Sequence, residues 1–187
     1  MLFRSYSRPF SIPGPKRAAR TRAALFLGST IGNFAPDEAL SFLRQAARRL
    51  SGGGCLLLGT DLRKDPARLH AAYNDDARVT AQFNLNLLTR INRELGGTFD
   101  LAAFDHYAFY NPGLGRIEMH LISRRAQRVT VAGRSFGFGE GESLHTENSY
   151  KFTVDGLQDL ARRAGFEPED VWLDDERLFS LHLLRAP

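Results

Sequence analysis

Residues 23–61 have the sequence AALFLGSTIGNFAPDEALSFLRQAARRLSGGGCLLLGTD. The apolar run at residues 23–27 predicts a fully buried strand, and residues 55–58 predict a second one. Between them, Pro36 begins a helix with leucine and alanine repeating along one face, and the glycines at 52–54 end it. A strand, a helix and a strand in this order form a βαβ unit of a parallel sheet. We therefore predict an α/β fold.

The rest of the chain predicts further helices and strands. Asp65-Pro66 begins a helix, and a longer one follows with Val79, Phe83, Leu87, Leu88, Ile91 and Leu95 along its apolar face. Residues 116–123 and 127–132 predict a hairpin around 124–126. Thr153 caps another helix that Gly165 ends, and the last two strands are predicted at 171–173 and 178–184.

Composition limits the class of protein. The chain has 187 residues, 43% hydrophobic and 25% charged, an ordinary balance for a globular protein, and no apolar run long enough to span a membrane. The single cysteine, Cys55, allows no disulfide framework within the chain and is expected to be packed in the core. We therefore expect a cytoplasmic protein without a membrane partner.

Positive charge is concentrated at the start of the chain. The first 36 residues carry six basic residues and no acid, which leaves 19 basic against 21 acidic residues in the remainder. Because the body is slightly acidic, we do not expect a nucleic-acid partner. The Arg-, Ser- and Pro-rich segment at 1–22 predicts a disordered or non-native arm, with an organelle transit peptide as the alternative.

Three loops could present polar groups to a ligand. The loop at residues 28–34 follows the first predicted strand, at the edge where open α/β sheets bind ligands, and the Asn33 amide in it matches a carboxylate. The alternative is a simple entry into the helix. Tyr73 presents a phenol to a site or only ends a helix, and spacing favours the helix end. Asp61 faces a ligand or only ends its strand, and we favour the strand end.

Two later segments carry chemically versatile side chains. Alternation along residues 116–121 places Met119 on the core face and Glu118 and His120 on the other, so His120 is expected to face solvent. Glu147 and Ser149 are two residues apart, and on an extended segment they point the same way. A carboxylate beside a hydroxyl can hold an imidazole, although a surface strand is the alternative. The five histidines have no zinc-type spacing, and no metal site is expected.

Several segments together carry a family resemblance. In chain order, the segments are FLGSTIGNF at 26–34, LGTDL at 58–62 with Lys64-Asp65, AYND at 72–75, VTA at 79–81 with Phe83-Asn84, RINREL at 90–95, RIEM at 116–119, ENS at 147–149 with Lys151-Phe152, AGF at 164–166, and Trp172. Together they resemble the L-histidine Nα-methyltransferases of ergothioneine biosynthesis, and the resemblance covers residues 23–185.

The resemblance implies a fold and a division into domains. It implies the C-terminal part of a Rossmann-like methyltransferase sheet together with a smaller α+β substrate-binding domain. Residues 1–22 then precede the fold, residues 23–75 are a remnant of the methyltransferase domain, residues 76–152 are the substrate-binding insertion with its hairpin, and residues 153–187 return to the sheet.

The resemblance also implies which residues hold the substrate, L-histidine. Asn33 and Tyr73 hold its carboxylate. Glu147 and Ser149 hold its imidazole ring, and Met119 borders that pocket. No catalytic base is implied, because transfer to a desolvated, well-placed amine does not require one.

S-adenosylmethionine is the implied cofactor and methyl donor. Gly28 and Thr30 lie near the substrate amine and the transferred methyl group, and the implied product is trimethylhistidine (hercynine). Family members carry a longer N-terminal part with a glycine-rich cofactor loop, whereas about two dozen residues precede the first motif here. We therefore expect a truncated chain that lacks most of the cofactor site.

A truncated sheet would also leave the strand at 23–27 at an open edge, through which the chain could associate with itself. Two alternatives to histidine methylation remain. One is an inactive fragment that binds a ligand or a protein, and the other is a family member that acts on a different amine.

Overall fold

The computed structural model describes residues 21–187, so nearly all of the arm predicted at 1–22 lies outside the described residues. The chain divides into two compact units. The first runs up to Arg63 and resumes at Tyr150–Pro187, and the second is Lys64–Ser149. The compact units divide after Arg63 and after Ser149. The domain boundaries predicted after residues 75 and 152 remain predictions. Among the described residues, no helix is long and apolar enough to cross a membrane.

The first unit is a four-stranded sheet with two helices. Strand β1 (Ala23–Phe26) pairs in parallel with β2 (Cys55–Asp61), and α1 (Pro36–Leu50) connects them, which confirms the predicted βαβ unit and the α/β fold. The strands from the end of the chain complete the sheet in the order β1-β2-β9-β8. Later elements of this unit are α4 (Val154–Ala164), β8 (Glu167–Leu173) and β9 (Phe179–Arg185), which pairs antiparallel with β2 and β8.

The core of this unit lies between the sheet and the two helices. The predicted apolar face of α1 is buried, and α4 packs beside it. Thr153 caps α4 by accepting a hydrogen bond from the Gly156 amide at 3.1 Å, and Gly165 ends it with φ of 95°. The buried core residues are Leu40, Leu43, Ala47, Leu50, Leu56, Leu58, Leu157, Ala161, Ala164 and Leu184.

Strand β1 is not fully buried, which corrects the prediction from its apolar sequence. Among the described residues it pairs only with β2 and lies at one edge of the sheet, where Leu25 is 70% exposed. An edge strand covered on one face exposes alternate side chains, and an apolar run alone does not reveal this. The expected position of this strand at a sheet edge is confirmed for the part of the chain that the structure describes.

The chain leaves and re-enters the first unit at one place. Leu62 and Phe152 form an isolated parallel bridge. The Arg63 amide donates to the Phe152 carbonyl at 2.8 Å, and the Phe152 amide donates to the Asp61 carbonyl at 3.0 Å. The two segments of the first unit that precede and follow the second unit are therefore hydrogen-bonded to one another.

The second unit combines two helices with two small sheets. Helices α2 (Pro66–Tyr73) and α3 (Val79–Leu95) come first, and β3 (Phe104–Asn111), β4 (Arg116–Ser123) and β7 (Ser143–Tyr150) form a sheet in the order β3-β4-β7. Strands β5 (Gln127–Val131) and β6 (Arg134–Phe138) form a hairpin of their own.

One prediction for this unit is wrong. Strand β4 does not pair with residues 127–132, because a tight turn pairs β5 with β6 instead: Ala132 and Gly133 both have positive φ, of 47° and 76°.

The helix predicted from Val79 to Leu95 is confirmed as α3. Val79 and Phe83 on its apolar face are largely exposed, whereas Leu88 and the polar Asn84 are fully buried. Asn84 is buried because its amide finds hydrogen-bond acceptors on the adjacent sheet.

Candidate functional site

In the first unit, the loop after β1 has a specific backbone shape. Gly28 and Ser29 have positive φ, of 78° and 58°, and a short 3-10 helix follows at Thr30–Asn33. Fully buried Ile31 anchors this helix, and the Thr30 hydroxyl donates to the Leu27 carbonyl at 3.4 Å. Asn33 ends the helix with an exposed side chain. The loop therefore presents small residues and one amide at the carboxyl edge of the sheet.

The loop is fastened to the end of β2. The Asp61 amide donates to Ser29 Oγ at 2.8 Å, which bridges the ends of two adjacent strands. Gly32 lies so close to the chain at Tyr150 that a Cβ atom there would be 2.7 Å from its carbonyl oxygen. These contacts fix the position from which Asn33 projects.

A buried ion pair supports the same region. Lys151 Nζ lies 2.8 Å from Asp61 Oδ2, with the lysine side chain only 1% exposed and the aspartate side chain 22% exposed. The sequence did not reveal this pair, because 90 residues separate the partners and each belongs to a different predicted segment. Lys151 was visible only as part of a family motif. Asp61 ends its strand, as we favoured, and also carries this interaction.

In the second unit, three of the predicted substrate residues lie together. The Tyr73 hydroxyl donates to Ser149 Oγ at 2.9 Å. Met119 is buried and belongs to the same apolar cluster as the Tyr73 ring, together with Leu69. Half-buried Glu147 lies two residues before Ser149 on β7. The arrangement combines a phenol, an aliphatic hydroxyl and an apolar wall, with a carboxylate nearby on the same strand.

The end of α2 is held so that Tyr73 stays in place. The His106 ring links it to the neighbouring helix: Nε2 donates to the Tyr73 carbonyl at 2.8 Å, and Nδ1 accepts from the Asn84 amide at 3.0 Å. One neutral tautomer of His106 satisfies both bonds. Asn74 adds two bonds to the backbone of Ala108, so the helix end is fastened to β3. Sequence spacing did not identify His106 or Asn84 in this supporting role.

Glu118 and His120 lie on the opposite side of β4 from Met119, as alternation predicted, but His120 does not face solvent. Its side chain is only 13% exposed, and its ring stacks between those of Phe109 and His145. Burial, followed by the proximity of His145, lowers the pKa of His120 below its usual value. The expectation failed because β3 and β7 both contribute side chains that cover this face of β4.

Glu118 is buried on the same face and is nevertheless held ionised. Burial alone would raise its pKa, but hydrogen bonds from Arg116 and Asn111 outweigh burial and lower the pKa below its usual value. Arg116 Nε and Asn111 Nδ2 approach the same oxygen, Oε1, at 2.9 and 3.0 Å.

The predicted site residues thus fall into two groups. Gly28, Thr30 and Asn33 belong to the first unit. The second unit contains the other four, namely Tyr73, Met119, Glu147 and Ser149. Their roles toward a ligand remain predictions.

Comparison with known proteins identifies the family. Residues 4–186 match the family described as histidine-specific methyltransferase, SAM-dependent. Over 164 residues the chain is 46% identical to the histidine N-alpha-methyltransferase of Mycolicibacterium smegmatis, covering 87% of this chain and 51% of that protein. It is 28% identical to ergothioneine biosynthesis protein 1 of Neurospora crassa, covering 92% of this chain and 20% of that protein.

Among solved structures, the CcbJ methyltransferase from Streptomyces caelestis matches with a TM-score of 0.48 and 14% identity, over 97% of this chain and 61% of that one. The chain spans about half the length of the Mycolicibacterium smegmatis relative. The family match extends over almost the whole chain and agrees with the sequence identity to this relative. The chain therefore belongs to the family of histidine-specific, S-adenosylmethionine-dependent methyltransferases.

Proposed function

We propose that this chain serves methyl transfer from S-adenosylmethionine to the α-amino group of L-histidine, giving trimethylhistidine (hercynine) for ergothioneine biosynthesis. Family membership and the names of the two relatives support the reaction and the pathway. The structural observation that carries the proposal is the hydrogen bond between Tyr73 and Ser149 beside buried Met119. These three residues combine polar and apolar surface, as binding of an imidazole ring requires.

Glu147 and Ser149 match the two ring nitrogens of a neutral imidazole. One nitrogen carries a proton and the other carries a lone pair, so the ring needs one acceptor and one donor. The Glu147 carboxylate is the acceptor. The proposed donor toward the other nitrogen is Ser149, because a serine hydroxyl can donate one hydrogen bond as well as accept. Met119 forms the apolar wall against the ring face.

Tyr73 has a second proposed role, which is to hold the substrate carboxylate. Because a phenol has a single proton, that proton would turn from Ser149 Oγ to the carboxylate when the substrate binds. In the first unit, the exposed Asn33 amide supplies a further donor for a carboxylate. Both contacts recognise a group that all amino acids share. They therefore contribute to binding of amino acids in general, whereas Glu147 and Ser149 select the side chain.

In the part of the first unit that the structure describes, the loop after β1 fits the methyl-bearing end of S-adenosylmethionine. Gly28 has open space where a side chain would be, and Thr30 follows it on the loop, so a methyl group could approach closely. Asp61, the carboxylate that ends β2, is engaged by Lys151 instead of being open to ribose hydroxyls. These residues fit the methyl-bearing end of the cofactor and do not by themselves account for recognition of its adenosine.

The cofactor would supply a methyl group on a positively charged sulfur. The amine must lose its proton to accept that methyl group, and removal from water favours the neutral form by lowering the amine pKa. Holding the carboxylate and the imidazole then orients the nitrogen, and orientation alone supplies a large part of the rate. The residues proposed here bind and orient the substrate, and none acts as a dedicated base.

The test separates recognition of the imidazole from general damage. The chain is assayed as it stands and after fusion to the N-terminal half of the Mycolicibacterium smegmatis relative, with kcat/KM measured for L-histidine and L-tryptophan. Losing one partner of a buried polar contact costs about 1–3 kcal/mol, so Glu147→Ala should lower kcat/KM for histidine roughly 5- to 150-fold. It should leave the value for tryptophan nearly unchanged.

Ser143→Ala is the matched control, because Ser143 is an exposed residue on the same strand. Ser143→Ala should leave kcat/KM unchanged for both histidine and tryptophan. Equal losses for histidine and tryptophan in Glu147→Ala would mean that Glu147 is structural and that the side-chain pocket has been misassigned. Absence of histidine methylation in the fused protein would contradict the proposed reaction itself.

A further inference from the structure

Three side chains with metal-binding atoms meet on one face of the β3-β4-β7 sheet. Glu118 and His120 lie two residues apart on β4, and His145 lies on the neighbouring strand β7. One potential ligand atom from each residue lies within 4.8 Å of those from the other two. On β4, Glu118 and His120 lie on the face opposite to Met119. The proposed methyl transfer gives no role to Glu118, His120 or His145.

His120 is the residue that most needs an explanation. Both of its ring nitrogens are buried, and neither has a hydrogen-bond partner among the residues that the structure describes. Buried polar atoms are almost always satisfied by protein, water or an ion. Glu118 Oε2 lies 3.5 Å from Nε2, which is too long for a good hydrogen bond. A cation between these atoms would satisfy both.

His145 is oriented in the manner of a metal ligand. Its Nε2 lies 3.1 Å from the Glu147 carbonyl, so Nε2 carries the proton and donates it. The lone pair is therefore on Nδ1. Histidines that bind metals usually donate the other ring N–H to a carbonyl or carboxylate, which fixes the tautomer.

Glu118 supplies negative charge with one oxygen still directed at the cluster. Arg116 and Asn111 both bind Oε1, which leaves Oε2 toward His120. The Arg116 guanidinium opposes a nearby cation, but it is bonded to the far oxygen of the carboxylate.

We propose that Glu118, His120 and His145 form a binding site for a divalent metal ion, and that Zn²⁺ is the ion it fits best. Two imidazole nitrogens and one carboxylate oxygen are a common zinc ligand set, with water in the fourth position. Mg²⁺ and Ca²⁺ favour oxygen ligands and suit this set poorly.

Binding requires a small, defined rearrangement. The rings of His120 and His145 are stacked at 4.6 Å with 14° between their planes, so their lone pairs do not yet converge. Ligand atoms around a tetrahedral zinc lie roughly 3.4 Å apart, given bonds of about 2.0–2.1 Å. The exposed His145 ring must therefore turn toward the buried His120, which stays in place. The bound ion would join β4 to β7.

The experiment titrates the 187-residue chain, without an affinity tag, with ZnCl₂ and separately with MgCl₂ by calorimetry in chelator-treated buffer. The expected result is one Zn²⁺ per chain and no binding of Mg²⁺. His145→Ala should weaken Zn²⁺ binding about tenfold or more, and His120→Gln should do the same. Since His145 is exposed, His145→Ala is expected to fold and keeps the test decisive if His120→Gln does not fold.

Two controls exclude other ligands. His70 is an exposed histidine on α2, and Cys55 is the single thiol of the chain. His70→Ala and Cys55→Ser should bind Zn²⁺ as the unchanged chain does. The proposal is overturned if the chain does not bind Zn²⁺, or if His145→Ala binds as tightly as the unchanged chain.

A second readout is the visible absorption of bound Co²⁺, whose tetrahedral bands should disappear in His145→Ala. Neither measurement involves substrate or methyl transfer. Failure of the metal site and failure of the proposed reaction are therefore distinguishable.

Discussion

Replacing Asp61 by alanine should destabilise the first unit. The change removes the carboxylate that lies 2.8 Å from the Lys151 ammonium, whose side chain is only 1% exposed. Removing one member of a buried ion pair costs about 3–5 kcal/mol, because a buried charge is left uncompensated. Water reaches the Asp61 side, which is 22% exposed, so we expect a loss near the lower limit, about 3 kcal/mol.

Urea unfolding at pH 7, followed by Trp172 fluorescence, measures this loss. Trp172 is the single tryptophan of the chain and lies on β8 in the same unit as the ion pair. Asp175→Ala, which removes an exposed acid from the same unit, should change the free energy of unfolding by no more than about 0.5 kcal/mol.

A double-mutant cycle tests whether the pairing itself is responsible. Lys151→Met removes the charge that Asp61 compensates, so the two changes together should cost clearly less than the sum of the single changes. A loss below about 1 kcal/mol for Asp61→Ala, or strict additivity in the cycle, would refute the reasoning. It would mean that other groups satisfy the ammonium.

Two further predictions concern stability. Burial lowers the pKa of His182 to about 4, so between pH 6.5 and pH 4 the unfolded chain binds a proton that the folded chain does not. The free energy of unfolding should therefore be highest above pH 6.5 and fall by about 1.4 kcal/mol per pH unit below it. Urea unfolding at pH 7 and pH 5 would detect this slope, and His182→Gln should remove it. Gly32→Ala should cost about 1–3 kcal/mol because its Cβ would lie 2.7 Å from the Tyr150 carbonyl oxygen, and a thermal shift no larger than that of Gly137→Ala, where nothing lies within 4 Å, would contradict this.

Features encoded within a few residues could be predicted from the sequence. Helix α1 begins at Pro36 and buries its expected face, and Thr153 and Gly165 cap α4 as expected. These features follow from periodicity and from the hydrogen-bond needs of helix ends. The position of strand β1 was predicted correctly. Its exposure was not predicted, because exposure depends on which strands lie beside it.

Features that depend on pairing between distant segments could not be predicted in this way. The hairpin of β5 and β6 depends on a turn at Ala132-Gly133, and an alanine gives little indication of positive φ. His120 follows the alternation of β4, yet Phe109 and His145 cover it from two other strands. Asn84 on α3 is buried because it forms hydrogen bonds with His106 and with the His120 carbonyl, and the periodicity of the sequence does not indicate these bonds.

The candidate site shows the same limit. Spacing alone favoured a helix end for Tyr73 and a surface strand for Glu147 and Ser149, and the family resemblance was needed to select them. The hydrogen bond between Tyr73 and Ser149 joins residues 76 positions apart. Nothing in the local sequence of either residue indicates that contact.

The bridge between Leu62 and Phe152 has a consequence for how such chains can be recombined. The segment between these residues begins and ends at adjacent positions. A different segment with equally close ends could therefore be inserted there while the first unit keeps its hydrogen bonds. Residues 64–149 could be exchanged for the corresponding segment of a relative, with both junctions placed beside this bridge. Such a swap would transfer the proposed imidazole-binding residues as a block and leave the βαβ unit untouched.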